Sequence, residues 1–373
     1  MESTRYGIVA CVLTLMCIGI VSVYSAGASL YGADRGYLGT VQKQMVWLVL
    51  SAAVLFVAAG IDYHLLSRHA RAILVASFAL LVLVHIVGQT RNGARRWIVL
   101  GPVSMQPAEF FKLAVVVYMA WFLSAKEKKI RQFLHGFLPP VLLATLGFLL
   151  IIAQPDFGTA VLTTVVVFSM LLVAGVNLMH ALPMLLAAAP VLGYLIVTVD
   201  YRLRRVLVFL NPWQDPQGAG YHIIQSMIAF GAGGLLGVGP GNGMQKGGYT
   251  PEHLTDFLLS VIGEETGFVG TACVVMVFLA LFYLGARVVM LAADTFGSLL
   301  AFGIMLTIAL QTFVNIGVVT GMLPTKGLPL PFMSYGGSSM LVMAAGVGIV
   351  LNVASHIEEV GPVPLLGAER EGL

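Results

Sequence analysis

The chain has 373 residues, 58% of them hydrophobic and only 10% charged, with a mean hydropathy of +0.93. A soluble domain of that length does not need so much apolar surface, so the composition specifies a polytopic membrane protein. A formal net charge of +3 is too small to draw in nucleic acid, and three cysteines inside apolar runs (Cys11, Cys17, Cys273) support neither disulfides nor a thiolate metal site.

The first apolar run, residues 6–25, is too long for the core of a secretory signal. Its flank holds only Arg5, offset by Glu2, so it reads as a retained membrane helix despite the Ala26-Gly27-Ala28 that follows. Further spans of about 20 apolar residues fall near 43–61, 70–88, 107–125, 136–153, 157–175, 180–199, 257–285, 298–321 and 337–355. The expected fold is therefore all-α, a single polytopic membrane domain over 1–373 with about ten transmembrane helices. Ten spans put both termini on one side, and the short basic loop Lys126-Glu-Lys-Lys-Ile-Arg131 marks that side as cytoplasmic. The loops 89–106, 200–256 and 322–336 then lie outside. Residues 200–256, between helices seven and eight, form the one large extracytoplasmic loop.

That orientation leaves ten of the 20 Lys and Arg outside: Arg35, Lys43, Arg91, Arg95, Arg96, Arg202, Arg204, Arg205, Lys246 and Lys326. Ordinary topology thins cations there. Either the orientation is inverted, or an outer cationic surface serves an anionic ligand such as a phosphate-bearing lipid. The tight cluster at 126–131 favours the second. Within the long loop, Ile223 to Leu236 is apolar but broken by Gly231, Gly233 and Gly234, and is too short to span, so it reads as interfacial or re-entrant. Gly237-Val-Gly-Pro-Gly-Asn-Gly243 follows; it either cradles a diphosphate on backbone N–H groups or makes a tight turn for re-entry. The eight histidines show no ligand spacing, which argues against a histidine-built metal site.

Asp256 stands where this polar loop enters an apolar helix, and a carboxylate there is costly without a role. If it opens the helix, Ser260, Gly263, Glu264 and Gly267 share its face, with Glu264 about 12 Å deeper. Such a polar stripe must face protein or a wet cavity. Two other helices start alike, at Gln106-Pro-Ala-Glu109 and Gln154-Pro-Asp156, with proline in the first turn and an acid suited to the dipole. Glu109 and Lys112 are spaced for a local ion pair; alternatively Lys112 joins Arg95 and Arg96 in holding a diphosphate. Lys326 lies in a proline-rich loop before Ser334-Tyr-Gly-Gly-Ser338, whose small residues permit close helix packing.

One carboxylate among many cations suits a particular chemistry. A sugar activated as a diphosphate already has a good leaving group, so it needs a base for the attacking hydroxyl and positive charge for the departing diphosphate. Ordinary glycoside hydrolysis instead takes two carboxyl groups. A divalent cation, Mg²⁺ or Mn²⁺, can share the second task. The same inventory also suits a flippase for a diphosphate lipid.

Gly93-Ala-Arg-Arg-Trp97, Gln106-Pro-Ala-Glu109, Gln154-Pro-Asp156, Asn211-Pro-Trp213, Thr255-Asp-Phe257, Gly263-Glu-Glu265 and Ser334-Tyr-Gly-Gly-Ser338 together resemble the SEDS family (shape, elongation, division and sporulation) over nearly the whole chain. Pro324-Thr-Lys-Gly327 and Gln245-Lys246 are more similar to its division branch than to its elongation branch. The resemblance implies a peptidoglycan glycosyltransferase of the bacterial inner membrane, acting at the septum. Asp256 would be its catalytic acid residue and lipid II its substrate. Its partners would be a class B penicillin-binding protein and other division proteins. The segment Glu252-His-Leu-Thr-Asp256 departs from the family's usual order, so His253 receives no role. Arg95, Arg96, Lys112, Arg204, Arg205, Lys246, Glu109, Asp156, Glu264 and Lys326 are the candidate substrate-binding residues.

Overall fold

Long apolar runs punctuated by proline, glycine and short polar residues give helices with defined starts. The structure, a computed structural model, describes residues 1–31, 35–91, 93–101, 103–243 and 255–360. Helices α1 (Glu2–Tyr31), α2 (Arg35–Gly60) and α3 (His64–Val87) come first, followed by strands β1 (Gln89–Arg91), β2 (Ala94–Leu100) and β3 (Val103–Met105). Then come α4 (Pro107–Ala125), α5 (Leu138–Ile152), α6 (Phe157–Val173) and α7 (Leu178–Val197). Helices α8 (Asp200–Leu210) and α9 (Tyr221–Gly233) precede α10 (Leu258–Leu291), α11 (Thr295–Val319) and α12 (Gly337–Val360).

Among the described residues nine helices are long and apolar enough to cross a membrane, and α6 is a shorter apolar helix. The protein is multi-pass, and these ten helices match the ten spans read from hydropathy. Their starts follow cap chemistry. Pro107 opens α4, and Asp156, Asn177 and Asp294 accept the backbone N–H of Thr159, Met179 and Gly297 at the heads of α6, α7 and α11. Helices α4, α11 and α12 are the most buried and form the centre of the bundle. Helix α7 contains Pro183 and Pro190 and stands largely clear of the other helices.

The helical membrane fold is the one expected, with a small sheet added outside the spans. Residues 89–105 form a small antiparallel sheet, pairing Thr90 with Arg95 and Ile98 with Met105. Gly93 and Gly101, both at positive φ, make its two turns, and the β-branched Ile98 and Val99 suit the strand between them. The 200–256 segment, expected as a loop, contains α8 and α9.

Helix α10 starts at Leu258 with Phe257 as its cap, so Asp256 lies in a turn ahead of the helix instead of in its first turn. The helix breaks at Gly267 (φ 67°, ψ −163°). Lipid cannot satisfy the groups a break exposes. The glycine turn after α9 does so instead. Val238 and Gly239 donate N–H to the carbonyls of Glu264 and Glu265 at 3.0 and 3.1 Å, and Phe268 and Val269 donate to those of Gly234 and Leu235 at 2.9 and 3.2 Å. Gly241 N–H and Ser25 Oγ both donate to Glu265 Oε1, at 3.1 and 2.6 Å. Of the two readings of the Gly237–Gly243 stretch, the tight turn is the one observed, with amides engaged by α10.

A Cβ at Gly267 would collide with the backbone of Gly237 and Leu235. Gly267→Ala is expected to destabilise by at least about 1–3 kcal/mol from backbone strain alone, read as a lower melting temperature in detergent.

Candidate functional site

The charged connections at one end of the bundle enclose a cleft of about 530 Å³. Helix α8 carries Asp200, Tyr201, Arg204 and Arg205 on the face turned toward it, as the spacing of a helix dictates. Gly218, Ala219 and His222 enter from the start of α9, and Asp256 and Phe257 from the start of α10. Thr325, Lys326 and Gly327 come from the α11–α12 connection. The half-buried Asp256 therefore faces a space containing three cations, and the N-termini of α9 and α10 add positive dipole ends there.

Arg205 and Lys326 are each held by their own contacts. Arg205 donates from Nη1 to the carbonyl of Thr325 at 3.2 Å and lies over the Tyr201 ring. The Lys326 ammonium lies 5.4 Å from the Phe157 ring centre, and burial pushes its pKa below the usual lysine value. His222 stacks on Phe257 with ring centres 5.5 Å apart. Asp256 is placed through its backbone. The buried Asn315 of α11 donates from Nδ2 to the carbonyls of both Asp256 and Leu328 at 2.8 Å, joining the α10 turn to the α11–α12 connection. That connection runs so close that a Cβ at Gly327 would come 2.9 Å from Asp256 Oδ2.

The structure thus brings Asp256, Arg204, Arg205 and Lys326 together and sets the other described candidates apart. Arg96 donates to the carbonyls of Gln154, at 2.9 Å, and Pro155, and Arg95 bonds Thr90 Oγ1 within the sheet. Asp156 caps α6 and accepts from Gln106 Nε2 at 3.2 Å, so Arg96, Gln106 and Asp156 knit three motifs into a scaffold beside the cleft. Glu109 and Lys112 pair at 2.9 Å with side chains 3% and 2% exposed, and Lys112 also donates to Gln311 Oε1 at 2.8 Å. Buried in the bundle and already partnered, neither lines the cleft. Glu264 is also buried, and its backbone carbonyl accepts from Val238 in the turn after α9. Arg202 donates to the Leu195 carbonyl at 3.0 Å and packs on Phe157, holding α8 to α7. Lys246 and His253 lie outside the described residues.

Sequence reasoning missed Asp200, Tyr201 and Thr325 as lining and Asn315 as the anchor of Asp256. Gln311 and Asn315, one helical turn apart in an otherwise apolar helix, were the available signal.

The chain matches a family model described as a cell cycle protein, FTSW_RODA_SPOVE, over residues 6–359. It is 44% identical over 363 residues to a probable peptidoglycan glycosyltransferase FtsW of Geobacter sulfurreducens, covering 96% of this chain and 97% of that one. Identity to the stage V sporulation protein E of Bacillus subtilis is 40%, over 92% and 95% of the two chains. Among solved structures, the rod shape determining protein RodA of Thermus thermophilus superposes with a TM-score of 0.71 at 29% identity, over 94% and 96% of the chains. A chain of a peptidoglycan synthase complex that coordinates polymerization and crosslinking superposes with a TM-score of 0.79 at 31% identity, over 94% and 97%.

Removing one member of a buried ion pair leaves the other uncompensated, at about 3–5 kcal/mol. Lys112→Met is expected to lower thermal stability by that order, and Glu109→Gln combined with Lys112→Met to recover most of it, in a melting series in detergent.

Proposed function

The chain belongs to the FtsW/RodA/SpoVE family of cell cycle proteins, and on that premise we propose that it is a peptidoglycan glycosyltransferase that polymerises lipid II for septal wall synthesis. The observation that carries the reading is the meeting of Asp256 with Arg204, Arg205 and Lys326 in one cleft. The cleft opens on the outer face of the cytoplasmic membrane, with both termini in the cytoplasm. The Lys126–Arg131 loop, at the opposite end of the bundle, supports that orientation.

Asp256 takes the proton of the acceptor sugar's 4-hydroxyl as that oxygen bonds to C1 of the donor. The bond from C1 to the diphosphate breaks with inversion, and undecaprenyl diphosphate leaves with its electron pair. Arg204, Arg205 and Lys326 hold the leaving diphosphate in place of water and stabilise the charge it gains. No second acid is needed, because a diphosphate departs without protonation. Asp200 and Asp256 offer hard oxygens that fit a divalent cation arriving with a diphosphate. Mg²⁺ or Mn²⁺ bound there would neutralise leaving-group charge. A class B penicillin-binding protein crosslinks the strands beside it, a pairing supported by the likeness to the synthase complex.

Fluorescent lipid II incubated with the purified protein and its partner, the partner's transpeptidase blocked with a β-lactam, tests the proposal. Wild type yields a glycan ladder, and Asp256→Asn loses about 10²–10⁴-fold in rate, the span of a general base. A folded wild type that binds lipid II without making a ladder would favour the flippase reading. Because burial lowers the Lys326 pKa, its charge is lost at lower pH than in an ordinary lysine. The alkaline limb of the rate profile should therefore fall below pH 10.5, and Lys326→Arg should move it upward, since arginine stays charged.

A further inference from the structure

At the end of the bundle opposite the cleft, the α2–α3 turn meets the last turns of α12 and the α10–α11 connection. The meeting is rigid. Asn352 of α12 accepts Tyr63 N–H at 2.8 Å and donates to the Ala59 carbonyl at 2.9 Å, while buried Tyr63 bonds Asp294 and stacks on Phe296. On this platform ligand atoms of Asp62, His64 and His356 lie within 4.8 Å of one another.

The hydrogen bonds around the two imidazoles decide what they face. His356 Nδ1 lies 3.0 Å from the Asn352 carbonyl, which only accepts, so that nitrogen carries the hydrogen and Nε2 presents a lone pair. That lone pair faces Asp62 Oδ1 at 3.9 Å. His64 Nε2 lies 3.5 Å from Asp294 Oδ2, and its Nδ1 is turned to the same Asp62 Oδ1 at 2.7 Å. Asp62 Oδ1 thus lies between the two imidazoles, and it also accepts the backbone N–H of His64 at 2.9 Å. One carboxylate oxygen and two imidazole nitrogens therefore converge on a space that a metal ion can fill. Zinc bonds of about 2.0–2.2 Å put tetrahedral donors about 3.4 Å apart. The observed separations of 2.7 and 3.9 Å straddle that value.

We propose that Asp62 Oδ1, His64 Nδ1 and His356 Nε2 bind one divalent transition-metal ion of the zinc class, with the Asp294 carboxylate and the Asn352 carbonyl fixing the imidazoles from behind. Two imidazoles and one carboxylate suit zinc over magnesium or calcium, which take oxygen ligands. Water completes the coordination, since Asp62 and His64 are exposed. The ion ties α2, α3 and α12 together at the face away from the chemistry. Among the described residues, the charged and titratable groups facing the site are Asp62, His64, His356, Asp294 and Tyr63.

The test uses the full chain in detergent, purified through a histidine-free tag, stripped with chelator and titrated with Zn²⁺ at about pH 7.5. One Zn²⁺ per chain should bind with a raised melting temperature that Mg²⁺ does not produce. His356→Gln and Asp62→Asn should each weaken binding by at least about 10-fold, while His69→Ala, on an exposed face of α3, leaves it unchanged. Should a variant not fold, the visible spectrum of Co²⁺ on wild type decides, with intense bands expected for a tetrahedral site. Absence of saturable Zn²⁺ binding, binding untouched by His356→Gln and Asp62→Asn, or an octahedral Co²⁺ spectrum would overturn the proposal.

Discussion

Asp256 depends for its position on a polar spine buried where lipid would otherwise be the only solvent. A charge alone at that depth is expensive, so Glu109 and Lys112 are paired, and Lys112 passes its remaining hydrogen-bonding capacity to Gln311. Gln311 in turn donates from Nε2 to the Pro329 carbonyl at 2.9 Å. One helical turn on, Asn315 holds Leu328 and Asp256. The ion pair on α4 thus fixes a rotamer on α11, and α11 fixes the two segments that bring Lys326 and Asp256 to the cleft. Side chains on packed helices hold the carboxylate more firmly than a loop alone would.

The second constraint is the broken α10. A continuous helix would satisfy its own backbone, but the break at Gly267 frees carbonyls and amides that the glycine turn after α9 must take up. Glycine is needed on both sides because the backbones touch: a Cβ at Gly233 or Gly237 would strike α10. The glycines that resemble a phosphate cradle are therefore a backbone joint. Its consequence is that α9 is fastened to α10 just below the cleft, and His222 with it.

The outer cations divide by what they can reach. Arg96 and Arg202 are consumed by backbone carbonyls, binding the sheet to the α5–α6 turn and α8 to α7. Arg204, Arg205 and Lys326 line the open space and supply the cleft's field, Arg205 while also donating to the Thr325 carbonyl. Small residues at the α11–α12 junction let this assembly close. Gly337 sits under the Trp47 ring with no room for a Cβ, as the run of small residues from Ser334 to Ser338 implied.

Hydropathy by itself determined the spans, because a bilayer demands about 20 apolar residues per crossing and tolerates few exceptions. Local chemistry determined the helix starts at Pro107 and Asp156 and singled out Asp256, a carboxylate where a polar loop enters an apolar helix. The sheet at 89–105 escaped notice because three- and seven-residue strands leave little periodicity. What a cation does was decided only by tertiary structure: Lys112 and Arg204 look alike in sequence, yet one is buried against Glu109 and the other lines the cleft. Asn315, and the meeting of Asp62 and His64 with His356, were equally invisible. Their partners lie 59 residues away in one case and nearly 300 in the other, and only helix packing brings such distant segments within bonding distance.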